Sequence, residues 1–252
     1  MTKSNNKWFV RSPGVSRVSA PRLRMFCFPY AGGSASTYMQ WGKKVANDIE
    51  VLAVQLPGRA NRLAEQPYDD MNSLIAALLP NFLEYIDRPY VMFGHSLGSR
   101  IAFQLMVECR NQQRRMPEHF FASGSRAAHR PCSDNSLHGL NDDQLKKKLF
   151  SLNGTPTAIL ENDEMMRLCM PFLRADFKIA GNYRAQVEKI NCPVTVFGGY
   201  EDPDISQADL WEWAALFAKT EDVHLFRGGH FFVETHQDSV LEKVNLTINK
   251  LR

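Results

Sequence analysis

Gly94-His95-Ser96-Leu97-Gly98 is the segment that most narrows what this chain can become. It follows the apolar run Tyr90-Val91-Met92-Phe93 and precedes Ile101-Ala102-Phe103-Gln104-Leu105-Met106, whose composition suits a helix. A strand that turns directly into a helix leaves little room at the corner, which accounts for a glycine on each side of the serine's neighbours. The central residue is held in a strained conformation, its hydroxyl raised above the strand with a helix N-terminus behind it. A serine displayed in this way is a candidate nucleophile, and Ser96 is that candidate here.

Further apolar runs support a layered architecture around the turn. Leu23 to Phe28, Glu50 to Gln55, Phe120 to Gly124, Pro193 to Gly199 and Val223 to Phe226 read as strands. A helix is expected from about Ser36 to Asn47, and Leu74, Ala77, Leu78 and Phe82 mark an amphipathic one. Short apolar strands alternating with helices predict an α/β fold, a mostly parallel sheet covered on both faces. From 131 to 184 the alternation lapses. Leu145, Leu149 and Leu152, then Met165, Leu168, Cys169, Phe172 and Leu173, recur at helical spacing. An all-helical insertion between two strands is expected to sit above the site as a lid.

Ligands of such sheets bind outside the carboxyl ends of the strands, and the residues able to assist Ser96 all follow strands. A serine hydroxyl needs a base, and the base needs an acid to fix its tautomer. In α/β-hydrolases they arrive in the order serine, acid, histidine. Asp202 is the preferred acid within Gly199-Tyr200-Glu201-Asp202-Pro203-Asp204, with Asp204 and Glu201 as alternatives. His230 in Gly228-Gly229-His230-Phe231-Phe232 is the preferred base, against His224 within a strand and His236 in a helical stretch. His95 adjoins the nucleophile and reads as structural. A tetrahedral intermediate needs backbone N–H donors. Leu97, after the nucleophile, supplies one, and Ala31 in Tyr30-Ala31-Gly32-Gly33 is assigned the second.

Composition excludes several other classes. Hydrophobic content of 44% and charged content of 23% are those of a globular chain. No apolar stretch approaches the roughly 18 residues of a membrane span, and the N-terminus lacks the apolar run of a secretory signal. Cys27, Cys109, Cys132, Cys169 and Cys192 are dispersed, without a C-x-x-C pair. They read as buried, reduced thiols, which with the missing signal implies a cytoplasmic protein. Neither H-E-x-x-H, a P-loop nor G-x-G-x-x-G occurs, so no metal or nucleotide cofactor is implied. Residues 1–24 carry Lys3, Lys7, Arg11, Arg17, Arg22 and Arg24 and no acid, so the net charge of +3 becomes −3 for the remainder. That segment is expected to be a poorly ordered extension preceding a single domain over 25–252, and neither nucleic acid nor membrane is expected as a partner.

Several segments together resemble the type II (external, editing) thioesterases of nonribosomal peptide and polyketide synthesis, within the α/β-hydrolase superfamily. They are Phe28-Pro29-Tyr30-Ala31-Gly32-Gly33, Leu56-Pro57-Gly58-Arg59, Gly94-His95-Ser96-Leu97-Gly98, Ser123-Gly124-Ser125-Arg126-Ala127 and Asn153-Gly154-Thr155-Pro156. Leu173-Arg174-Ala175-Asp176-Phe177 and Gly228-Gly229-His230-Phe231-Phe232 continue the match, which spans about 24–245. The resemblance implies a Ser96–Asp202–His230 triad, an oxyanion site at Ala31 and Leu97, and a helical lid over a phosphopantetheine channel. It implies removal of stalled or misprimed acyl groups from carrier proteins, whose phosphopantetheine belongs to the substrate; a monomer is expected. A generic esterase or acyltransferase, and a non-catalytic carrier-binding scaffold, are the alternatives. Ser99-Arg100 departs from the small residues common after the elbow in this family. Arg59 and Lys146-Lys147-Lys148 are read as solvated surface or as contacts for an acidic carrier protein. Met165, Met166 and Met170 read either as an adaptable acyl-chain surface or as helix-packing core.

Overall fold

The computed structural model describes residues 6–13, 21–131, 137–152, 154 and 157–251. In chain order it contains β1 (Phe9–Arg11), β2 (Leu23–Phe28), β3 (Ile49–Val54), α1 (Met71–Leu83), β4 (Tyr90–His95), α2 (Leu97–Asn111) and β5 (His119–Ser123). There follow α3 (Asp142–Leu152), α4 (Thr157–Leu160), α5 (Asp163–Asn182), β6 (Ile190–Gly199), α6 (Gln207–Trp211), β7 (Phe217–Phe226), α7 (Phe232–Thr235) and α8 (Gln237–Asn249). The strands form one seven-stranded sheet in the order β1-β3-β2-β4-β5-β6-β7. Every neighbouring pair is parallel except β1 with β3.

The period of two along each central strand sorts its residues between two cores. Met25, Cys27, Val91 and Phe93 enter the core that includes α8, with Val240, Leu241 and Val244. Phe26, Phe28, Tyr90 and Met92 enter the other, with Leu78 and Phe82 of α1 and Ile101 and Leu105 of α2. Both faces being covered, the strands are apolar throughout, as parallel sheets require. Phe26 meets Phe82 edge-on at 4.7 Å between ring centroids and Tyr90 at 5.6 Å, and these contacts lock α1 onto the sheet centre.

Two expectations need correction. Residues 6–13 of the expected loose extension are tied down. Phe9–Arg11 pairs with β3, and Phe9 is buried against Phe26 and Tyr85. The basic composition concealed the short apolar run Trp8-Phe9-Val10, able to add a strand at the sheet edge. Lys3 and Arg17 lie outside the described residues, as do Cys132, Asn153, Thr155 and Pro156. The helix expected from Ser36 to Asn47 is instead two short 3-10 turns, Ala35–Tyr38 and Trp41–Lys43. Ser12 interrupts it: its hydroxyl donates to the Met39 carbonyl at 2.9 Å and accepts the Gly42 N–H at 2.9 Å, diverting two groups a continuous helix would use.

Among the described residues between 131 and 184 there is no strand, and α3, α4 and α5 account for most of the length. These helices share a small core of their own, with Leu145, Leu149, Leu160, Met166, Phe172 and Leu173. Met165 and Leu168 are half-exposed on the outer side.

Candidate active site

The five loops that leave the carboxyl ends of β2, β4, β5, β6 and β7 meet at one edge of the sheet, and each contributes to the site. At the elbow Ser96 has φ 54° and ψ −118°, a conformation costly for any residue with a Cβ. Backbone contacts enforce it. Ser96 N–H donates to the Ser123 carbonyl at 2.8 Å, which ties the turn to the end of β5. A Cβ on Gly94 would lie 2.5 Å from the Gly98 carbonyl oxygen, and one on Gly98 would lie 2.1 Å from that of Phe28. The two glycines are therefore a packing requirement between β4, α2 and the end of β2.

Ser99 completes this knot, and sequence reading had noted it only as a departure. Its hydroxyl lies 2.7 Å from the Gly94 carbonyl and accepts the Ser123 N–H at 3.1 Å. Arg100 is buried and reaches past the pocket to the carbonyls of Tyr183 and Arg130, at 3.2 and 3.0 Å. It thereby links α2 to the segments on either side of the helical insertion.

His230 Nε2 lies 3.0 Å from Ser96 Oγ, and His230 Nδ1 lies 2.7 Å from Asp202 Oδ2. A carboxylate can only accept, so Nδ1 carries the proton and Nε2 is free to accept the serine's. Of the three candidate acids, Asp202 is the one in contact with His230. Its side chain is 1% exposed, and its other oxygen accepts the Asp204 N–H at 3.0 Å, whereas Glu201 faces solvent. The acid and base loops are stitched together by Tyr200 N–H to the Phe226 carbonyl and Glu201 N–H to the Gly228 carbonyl, at 2.8 and 3.0 Å. His224 remains on β7, and His236 bonds Thr235 at 3.0 Å; neither joins the serine.

His95 is fully buried and holds this arrangement from below. Its Nε2–H donates to the His230 carbonyl at 2.9 Å, so Nδ1 is left to accept from the Ser123 hydroxyl, also at 2.9 Å. Burial, with the neighbouring His230 adding to it, pushes its pKa well below the ordinary histidine value, and the ring stays neutral. Gly124, at φ +55°, makes room for it: a Cβ there would lie 2.5 Å from His95 Cε1.

Ala31 and Leu97 line the same cavity as Ser96 and His230. Among the described residues neither backbone N–H has an intramolecular acceptor, so both are available to an oxyanion. The loop bearing Ala31 is braced on two sides. Tyr30 O–H donates to Glu234 on α7 at 2.6 Å, and burial together with that carboxylate raises the phenol's pKa far above its usual value. Gly32 N–H donates at 2.7 Å to Asp176 on α5, and Asp176 pairs in a two-pronged contact with Arg59 at 2.6 and 2.8 Å. Arg59 is 3% exposed and so is not the surface residue expected. Arg59 in Leu-Pro-Gly-Arg59 and Asp176 in Leu-Arg-Ala-Asp176-Phe, opposite charges carried by two family segments, were the available signal for this pair.

The cavity has a volume of about 110 Å³ and is roofed by Leu149 and Leu152 of α3 and Phe177 of α5. No methionine of the helical insertion lines it; Met166 packs in the insertion's own core, the second of the two readings given to those residues. Among the described residues no cluster of three histidine, cysteine or carboxylate groups is placed to hold a metal, and no helix is long and apolar enough to cross a membrane.

The thioesterase-domain family model matches residues 23–247. The chain belongs to the thioesterase family. This thioesterase is a thioester hydrolase with the α/β-hydrolase fold. It is 37% identical to the gramicidin S biosynthesis protein GrsT of Aneurinibacillus migulanus, over 98% of this chain and 94% of that one. It is also 37% identical to LgrE of Brevibacillus parabrevis, named a linear gramicidin dehydrogenase, over 97% and 94% of the two chains. The structure of BorB, a type II thioesterase from the borrelidin biosynthetic cluster, superposes with a TM-score of 0.85 at 30% identity, covering 94% of this thioesterase and 96% of BorB.

Proposed function

We propose that this thioesterase hydrolyses acyl or aminoacyl groups from the phosphopantetheine arms of carrier proteins, clearing stalled or misprimed units in nonribosomal peptide or polyketide synthesis. The observation that carries the reading is the Ser96–His230–Asp202 relay, open to a cavity roofed by apolar helices, in a chain whose relatives bear the names of such pathways. At about 110 Å³ the cavity is somewhat smaller than the roughly 150 Å³ apolar cavity that accepts benzene, which suits an acyl group of a few carbons.

In this mechanism Ser96 Oγ bonds to the thioester carbon while its proton passes to His230 Nε2, and Asp202 stabilises the resulting imidazolium. The carbonyl oxygen takes the negative charge and accepts hydrogen bonds from the N–H groups of Ala31 and Leu97. Collapse of the intermediate breaks the C–S bond. The departing thiol, with a pKa of about 8.5 by analogy with cysteine, leaves readily and takes up the proton held on His230 Nε2, so the histidine is a neutral base again. A water molecule then gives a proton to His230 and attacks the acyl-enzyme; the C–Oγ bond breaks as His230 returns that proton to Oγ, and Ser96 and the free acid are released. Because the thiol leaves easily, deacylation is the slower half, and rapid mixing should show a burst of released thiol. No cofactor takes part.

Purified protein assayed against acetyl-loaded carrier protein, acyl-CoA and simple oxoesters tests this reading. Carrier-bound thioesters should be turned over best, and Ser96→Ala should abolish hydrolysis while retaining the fold. Activity confined to oxoesters would overturn the carrier-protein claim. Absence of turnover by the unaltered protein would favour a scaffold.

A further inference from the structure

The helical insertion does more than roof the cavity, because it grips the backbone of the loop that carries Ala31. Two contacts from α5, and a third from an arginine that α5 holds, converge on two residues of that loop. Asp176 Oδ2 accepts the Gly32 N–H at 2.7 Å. Arg59 Nη1, bound to the same oxygen at 2.6 Å, donates to the Gly33 carbonyl at 3.2 Å. Leu173, three residues before Asp176 on α5, packs so closely that a Cβ on Gly32 would lie 2.7 Å from its Cδ2. Gly32 has φ +81°, so the loop holds a turn that few other residues could adopt.

The pair is built for position. Arg59 and Asp176 are 3% and 1% exposed, and the guanidinium carbon sits over the ring of Phe172 of α5, 4.7 Å from its centroid. Both carboxylate oxygens and both terminal guanidinium nitrogens are engaged, so several directional bonds act together on the pair. Burying an ion pair is at best weakly favourable for stability, since an apolar pair of similar size often serves as well. Here its hydrogen bonds terminate on the Gly32 N–H and the Gly33 carbonyl, in the stretch of loop that directly follows Ala31.

We propose that the Arg59–Asp176 pair positions the oxyanion site, and that the Ala31 N–H is correctly aimed only while α5 is seated against the Tyr30–Gly33 loop. This inference rests on the assignment of Ala31 to the oxyanion site given under Proposed function. Neither residue touches the reacting atoms; both are positioning residues. The carbon that Ser96 attacks is then activated only beneath a seated insertion, which couples closure of the site to its chemistry.

A boronic acid tests the idea directly. Ser96 Oγ adds to boron as its proton passes to His230, nothing leaves, and the tetrahedral adduct presents an oxygen to the two N–H groups. An S-alkyl pantetheine, a thioether without the carbonyl, serves as the ground-state ligand. Asp176→Asn should lower kcat for acyl-thioester hydrolysis by roughly 10- to 100-fold, with KM within about threefold of the unaltered protein. Boronate affinity should fall by a similar factor, with thioether affinity unchanged. The double variant Arg59→Met/Asp176→Leu replaces the charges by apolar groups and should fold yet show the same selective loss. If either of these fails to fold, Arg59→Lys keeps the charge without the two-pronged geometry and carries the comparison. Folded variants with unaltered boronate affinity, or a loss confined to KM and thioether binding, would overturn the proposal. Failure of the unaltered protein to hydrolyse carrier thioesters would sink the proposed substrate alone, because boronate binding to Ser96 would still report on the loop.

Discussion

Gly98→Ala should be far more damaging than one added methyl group suggests. Real Cβ atoms essentially never approach a heavy atom within 3.0 Å, and here the new carbon would lie 2.1 Å from the Phe28 oxygen, 2.6 Å from its carbon and 2.7 Å from the Pro29 oxygen. All three are backbone atoms, so no side chain can swing aside. The end of β2 and the start of α2 must separate by about 0.9 Å to restore the shortest allowed contact. Overpacking of this kind costs about 1–3 kcal/mol, equivalent to a melting temperature lower by roughly 2–12 °C in a chain of this size. The kinetic cost is larger. Pro29 leads directly into the loop carrying Ala31, and Gly98 follows Leu97, so the displacement opens the distance between the two N–H donors. A misplacement of about 1 Å costs on the order of 100-fold in kcat. Gly139→Ala is the control, since nothing lies within 4 Å of its would-be Cβ. Steady-state kinetics with thermal denaturation of both variants gives the comparison. A Gly98→Ala protein with ordinary kcat and melting temperature would refute the account of the elbow as a backbone-limited junction.

Three further outcomes are expected. Asp202→Asn should lower kcat by about 10⁴-fold with little change in KM, because an amide allows the wrong His230 tautomer; an undiminished rate would show that Asp202 does not orient the base. Burial lowers the pKa of His119 from 6.5 to about 4, while its Nε2 bonds Thr195 at 2.9 Å. The unfolded chain therefore binds a proton that the folded one rejects between those values. This contribution is intact above about pH 6.5 and is lost as pH falls toward 4, by up to about 3 kcal/mol, with buried His95 acting in the same sense. Urea midpoints measured from pH 7.5 to 4.5 should fall less steeply for His119→Gln, and an identical slope would contradict the assignment. Gly228→Ala, at φ +95°, should cost about 1–2 kcal/mol in melting experiments, whereas Gly229→Ala, with only the Glu201 carbonyl 3.6 Å away, should be tolerated.

Features fixed by short-range chemistry were the legible ones. The elbow could be read because strand, glycines, serine and helix are contiguous. Asp202 and His230 could be read because each follows an apolar strand, and a parallel sheet collects such loops at one edge. Arg59 was misread because its partner lies 117 residues away, and a lone arginine after a glycine has the composition of a surface turn. The interruption of the helix after Ser36 was hidden for the same reason: the hydroxyl that breaks it belongs to Ser12, on another segment. His95 was read as structural, but its bond to the His230 carbonyl depends on the close approach of β4 and the β7 loop, which no local pattern records.

The order of the strands also bears on how this enzyme comes into being. Ser96 leaves β4 at the middle of the sheet, whereas its base follows β7, the edge strand on one side and the last to be made. A ribosome therefore delivers the nucleophile well over a hundred residues before His230. On the proposed mechanism, until β6 and β7 dock the serine has neither acid nor base, and the growing chain should be inert toward thioesters. Hydrolysis begins only with completion of the sheet, so in a refolding or translation experiment the first turnover marks arrival of the final strands.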